Sequence, residues 1–213
     1  MKKIIIVLSF SVLAMSAVRA DADPFKRILN KNEFTTSESI DPGMTQTGIH
    51  FTLGDNYRSY YPAFLYGLGA FFEVGVKFGV TTVDVGPEDK LATLVGVDMK
   101  YQLVKETEGI PIDMAVDLGF DTHIINGGNL SELTFATIFS KGFPLTERGY
   151  KFTPYAGIEM SSTYGSSLYL ARNETNVYVF GGMEWKISQK FMIVAEIKAG
   201  DIILGGAGIR FEY

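Results

Sequence analysis

A chain of 213 residues allows one domain or at most two small ones, and with no cysteine and only two histidines it has no disulfide framework, thiol nucleophile or thiolate metal site. The formal net charge is −5 at pH 7, and removing Lys2, Lys3 and Arg19 from the 19 basic residues leaves 16 against 24 acidic ones, a net of −8. An exported chain this acidic is a poor partner for nucleic acid, and no apolar run after the N-terminus is long enough for a helix to cross a membrane.

Met1 to Ala20 reads as a bacterial secretory signal. Lys2 and Lys3 start it, Ile4 to Val18 form the apolar middle, and Val18-Arg19-Ala20 or Ala20-Asp21-Ala22 offers a small-residue cleavage site. The alternative, a retained anchor helix, is too short for a bilayer. Residues 21–44 are polar and irregular, with Phe25, Ile28 and Leu29 on one face of a possible helical turn. They are expected as a periplasmic lead ahead of a barrel over 45–213, or as a short plug.

From Thr47 onward the pattern has period two, the signature of strands whose side chains alternate between faces. Ile49, Phe51 and Leu53 alternate with Gly48, His50 and Thr52; Tyr61 to Leu68 is weaker; Phe72, Val74, Val76, Phe78 and Val80 oppose Glu73, Gly75, Lys77 and Gly79. Leu91 to Leu103 sets Val95, Val97, Met99 and Tyr101 against Gly96, Asp98, Lys100 and Gln102. The clearest case is Pro111 to Ile124, where Ile112, Met114, Val116, Leu118 and Phe120 face away from Asp113, Ala115, Asp117, Asp121 and His123. The pattern repeats through Leu133 to Phe143, Tyr150 to Met160, Val177 to Ile187, Phe191 to Lys198 and Ile203 to Tyr213. About ten segments of roughly nine to eleven residues match the length that a tilted strand needs to cross a bilayer.

The connections alternate in kind. DNYRSYY (Asp55 to Tyr61), DVGPED (Asp84 to Asp89), INGGNLS (Ile125 to Ser131) and YGSSLYLARNET (Tyr164 to Thr175) read as loops. Gly67 to Ala70, Lys105 to Gly109, Pro144 to Gly149 and Ser188 to Lys190 read as short turns. Short turns inside and longer loops outside are the arrangement of outer-membrane barrels. The predicted fold is therefore all-β: a transmembrane antiparallel up-and-down barrel of about 10 strands, with 8 or 12 as neighbouring solutions. Tyr101, Phe143, Tyr150, Trp185 and Tyr213 sit near segment ends, where aromatic girdles form. A soluble sandwich or lipocalin-like barrel would turn the same faces the other way, and its core would have to exclude the charges.

The final strand, GGAGIRFEY, Gly205 to Tyr213, resembles the terminal strand of Gram-negative outer-membrane β-barrel proteins, with alternating apolar residues and a last aromatic. The resemblance implies that Ile209, Phe211 and Tyr213 are read by the barrel assembly machinery. It also implies outer-membrane lipid as the surroundings, and it marks an architecture, porin-like or uncharacterised, without a single family. A final Tyr in place of the commoner Phe is a departure from that pattern.

The inward faces collect ten carboxylates, Glu73, Asp98, Asp113, Asp117, Asp121, Glu132, Glu159, Glu184, Glu196 and Glu212, and six bases, Lys77, Lys100, Lys151, Lys186, Lys198 and Arg210. A barrel of this size has an interior little wider than its own side chains need, so the charges are expected to pair or hold water. That gives a charged, largely filled lumen in a monomer with a structural or surface role. Its rival is a narrow cation-preferring path along Asp113, Asp117 and Asp121. Two further readings compete. Tyr57, Arg58, Tyr60, Tyr164, Tyr169 and Arg172 offer loop residues of the types enriched at contact surfaces, or else the upper girdle. His123 with Asp121 is the only suggestion of a rim catalytic site, and without a paired serine it does not make an enzyme. No cofactor or metal is expected.

Overall fold

The structure is a computed structural model that describes residues 34–54, 57–85, 88–107, 110–125, 128–145, 150–165 and 174–213. The expected signal, and residues 21–33 of the expected lead, lie outside the described residues. Within them the chain forms strands β1 (Thr45–Gly54), β2 (Tyr57–Gly69), β3 (Phe72–Val85), β4 (Glu88–Val104), β5 (Asp113–Ile125), β6 (Gly128–Ser140), β7 (Phe143–Pro144), β8 (Lys151–Gly165), β9 (Glu174–Lys186), β10 (Phe191–Ala199) and β11 (Ile203–Glu212). Sequence neighbours pair antiparallel except β6 and β7, β6 pairs instead with β8, and β1 pairs with β11. All but the two-residue β7, which only extends the rim beside β8, thus form a closed ring of ten strands. Closure leaves no free sheet edge, the condition for a sheet to exist in hydrocarbon.

The polarity of the wall is inverted relative to a water-soluble barrel. Val97 and Phe120, cross-strand partners on β4 and β5, are 48% and 45% exposed, whereas Lys100 and Asp117, partners on the same two strands, are 3% and 5% exposed. Apolar side chains therefore meet the surroundings, and charged ones meet each other. At the end where β1 starts and β11 finishes, here the near end, the outer surface carries Tyr66, Phe71, Tyr101, Phe143, Trp185, Phe211 and Tyr213, all exposed. Tyr60 and Tyr164 hold the corresponding position at the far end. Rings at both rims of an apolar band form the girdle arrangement.

Two expectations need adjusting. DNYRSYY was expected as a loop, yet β2 begins at Tyr57, so Arg58 and Tyr60 are strand residues, as is Tyr164 on β8. Main-chain pairing holds these residues extended: Arg58 pairs with Leu53 and Thr82, and Tyr164 with Ser131. Residues 34–40, part of the segment expected as lead or plug, run inside the ring toward the near end, and Asp41, Pro42 and Gly43 are exposed. Phe34, Ser37 and Ile40 are buried in the ring, and a turn at Gly43, held by Gly43 N–H donating to Gly67 O (2.8 Å), leads into β1.

Candidate functional site

The lumen is where chemistry is concentrated, because the alternation of every strand sends one face there. Parity assigns each residue to the inner or outer face, and strand register sets its height. Each of the six inward bases meets a carboxylate. Near the termini, Lys186 Nζ lies 2.8 Å from Glu212 Oε1, which belongs to the strand two places round the ring. Arg210 Nη1 reaches Glu184 Oε2 at 3.5 Å, and Lys151 pairs with Glu38 of the inner segment. Lys100 Nζ lies 3.0 Å from Glu73 Oε1. At mid-height Lys77 Nζ bridges Asp98 (2.6 Å) and Asp121 (3.1 Å), tying β3, β4 and β5 together. Higher still, Lys198 and Glu159 pair with both side chains fully buried. A charge taken from water costs several kcal/mol unless matched, and here the matching is built into the wall.

Three further carboxylates accept from neutral donors. Asp113 Oδ1 accepts from Gln102 Nε2 (3.0 Å) and from the Glu106 N–H (2.8 Å), which fixes the near end of the β4–β5 connection. Glu196 Oε2 accepts from the Tyr155 hydroxyl (3.0 Å) and from the Phe34 N–H (2.8 Å). Glu132 takes the Ser161 hydroxyl. The three aspartates singled out as a row on β5 therefore sit in different surroundings: Asp121 with a lysine, Asp113 at a turn, and Asp117 beside Lys100 in register. All three are buried.

Residues 34–41 complete the lumen, and their role had no sequence signal beyond hydroxyl-rich composition. Lys100 Nζ donates to Thr35 Oγ1 (2.8 Å), Thr36 O (2.8 Å) and Glu38 O (2.9 Å). The Ser39 N–H donates to Gln102 Oε1 (3.1 Å) and the Ile40 N–H to Glu73 Oε2 (2.9 Å). Ser37 bonds Ser140. Phe34 stacks on His50 with centroids 5.1 Å apart, and His50 on Tyr61 at 5.5 Å. Beside them lies a water-accessible cavity of about 40 Å³, reached by Glu73, Lys77, Asp98, Lys100, Asp117 and Arg210. That is room for about three waters.

The two histidines stand apart in this arrangement. His50 is enclosed between rings on β1, and His123 faces the lumen from β5, buried at 2% exposure. Among the described residues no cluster of His, Asp or Glu has metal-binding geometry. Of the expected contact residues, Arg58, Tyr60 and Tyr164 are exposed at the far rim. Tyr169, Arg172 and the side chain of Tyr57 lie outside the described residues.

No protein-family model matches the chain, and no curated protein matches it. Solved structures do. The β domain of the Bordetella autotransporter BrkA is 10% identical, with 80% of this chain covering 98% of that one at a TM-score of 0.52. The N-terminal β-barrel domain of Pseudomonas aeruginosa OprF is 12% identical, with 82% and 100% covered and a TM-score of 0.41. An outer membrane channel from Pseudomonas putida F1 is 8% identical, with 87% and 100% covered and a TM-score of 0.44. At these identities the likeness speaks for the fold, that of outer-membrane β-barrels, and only the first superposes closely enough to carry weight.

Proposed function

We propose that this chain is exported, loses its signal near Ala20 or Ala22, and works as a monomeric outer-membrane barrel with a structural or surface role and no enzymatic step. Its lumen is closed at rest. The observation that carries this reading is the filled interior: six bases each facing a carboxylate, with residues 34–41 occupying the space between them. An eight-stranded barrel is just filled by its own side chains. A ten-stranded one has a wider bore, and here a stretch of main chain takes up the difference. Lipid covers the outside, and the terminal strand with Ile209, Phe211 and Tyr213 is the signal for the assembly machinery.

A passive cation-preferring channel is the second reading, favoured by the excess of inward carboxylates and the water-sized cavity beside Asp98 and Asp117. Planar-bilayer recording of the full mature chain separates the two. The closed barrel gives a flat baseline in symmetric KCl. Steady unitary steps from the unmodified protein would refute it in favour of the channel.

A further inference from the structure

We propose that residues 34–41 are a removable strap: seated, it seals the lumen, and withdrawn toward the near end it leaves a cation-conducting path through the barrel. The inference rests on the closed-barrel reading and adds a second state to it. Four features carry it.

The strap belongs to no strand ladder. It is held by side chains of the wall, so its departure breaks no main-chain pairing of the barrel. Its seat is also shaped for it. A Cβ on Gly67 would strike the carbonyl oxygens of Ile40 and Asp41, and one on Gly206 would strike the Phe34 ring. Those two inward positions leave room that only a side chain of a single hydrogen permits.

Three of the wall groups that grip the strap keep a second partner within the wall, whereas Lys151 gives up Glu38. Lys100 keeps Glu73 at 3.0 Å, Glu196 keeps the Tyr155 hydroxyl at 3.0 Å, and Gln102 keeps Asp113 at 3.0 Å. Withdrawal therefore strands none of these three groups, and two packings are within reach of one sequence. Strain favours release at one end: Phe34 is a non-glycine residue at φ 49°, a left-handed conformation that persists only where its surroundings impose it. At the other end Gly43, at φ 80° with open space around its Cβ position, provides a pivot.

Once empty, the bore is lined by an excess of carboxylates, and rings of carboxylates select cations. The strap itself contributes Glu38, the partner of Lys151 near the mouth.

The chain has no cysteine, so a reversible lock can be installed. Ser37→Cys with Ser140→Cys places two thiols where the hydroxyls now bond, and Phe34→Ala, a change in the strap alone, removes the ring stacked on His50. The full mature chain carrying all three changes is recorded in planar bilayers under a KCl gradient. With thiols reduced, open time is expected to rise about 100-fold over the unmodified protein, the low end of the core Phe→Ala penalty expressed as an equilibrium ratio. The reversal potential should move toward that of K⁺. Oxidation should return the current to the unmodified level, and dithiothreitol should restore it.

Lys100→Met in the same two-cysteine background, removing three strap bonds from the wall side, gives the same pattern and serves if the first variant does not insert. The proposal is overturned if a folded, inserted variant stays silent when reduced, if its current is the same oxidised and reduced, or if it prefers Cl⁻. Steady current from the unmodified chain would count against the closed barrel. If that current also persists in the oxidised double-cysteine chain, the strap falls with it.

Discussion

Glu159→Gln tests whether the lumen is as dry as its geometry implies. Glu159 on β8 and Lys198 on β10 pair across β9, and both side chains are 0% exposed. The Lys198 ammonium also lies over two rings, 6.0 Å from the centroid of Tyr178 and 5.8 Å from that of Phe180. Breaking one side of a buried ion pair costs about 3–5 kcal/mol because the other charge is left behind. The two rings return roughly 0.5–1 kcal/mol each, and glutamine keeps a carbonyl acceptor of similar size. The net expectation is a loss of about 1–4 kcal/mol. Replacing both partners, Lys198→Met with Glu159→Leu, should recover most of it, since a buried pair and an apolar pair of similar volume are often close in stability. Urea unfolding from lipid vesicles, read by the single tryptophan, Trp185 on the outer face, gives both numbers. A loss below about 0.5 kcal/mol, the value of an exposed pair, would mean that bulk water reaches Lys198, and the filled-lumen argument would fail. So would a double variant as unstable as the sum of the singles.

Two other perturbations address the outside of the barrel. Val97→Arg, near the middle of β4 and outward-facing, should lower vesicle-inserted stability by about 2–4 kcal/mol, against a small effect for Val97→Ala; equal effects would show that lipid does not cover this face. Phe211→Ala, or removal of Tyr213, should cut the amount of folded barrel in cells severalfold while detergent refolding of the purified chain is nearly unchanged. Equal losses in both settings would assign these residues to stability and deny them a role in assembly.

The strands were legible because the environment is inverted on both sides at once. At Pro111 to Ile124 an apolar face and an acidic face alternate without drift, and β5 covers Asp113–Ile125. Parity puts Lys77, Asp98 and Asp121 on one face, but it is silent about height. That Lys77 sits between Asp98 and Asp121 follows from stagger across β3, β4 and β5, which no single strand encodes. The far ends were misjudged for a different reason. Alternation continues through Arg58, Ser59, Tyr60 and Tyr61, exposed and buried in turn, but the polar, turn-forming residues of Asp55 to Ser59 mask it in the sequence, and main-chain pairing carries the strand there. Residues 34–41 have no period because they belong to no strand ladder and bond to several strands of the wall. Their clue lay elsewhere, in the small inward residues Gly67 and Gly206 opposite Ile40 and Phe34, and a one-dimensional pattern does not connect such distant positions.

The acid excess of the lumen and the composition of the strap are two sides of one requirement. Five of the six bases match five or six of the ten wall carboxylates, depending on how Lys77 is shared, and the sixth, Lys151, spends itself on Glu38. The surplus needs donors that bring no carboxylate of their own, and a main chain supplies them. The Phe34 N–H serves Glu196, and the Ile40 N–H adds a second donor to Glu73. Charge-assisted bonds of this kind are about twice as strong as neutral ones. The strap's carbonyls in turn take the Lys100 protons that Glu73 does not use. A run such as Thr35-Thr36-Ser37 suits this place because its side chains are short, uncharged and able to bond in either direction. Water could do the same work, which is why the segment can be a seal without being a structural necessity. A peptide that stands in for solvent at this spot can be exchanged for it, and solvent with mobile cations is what the emptied bore would hold.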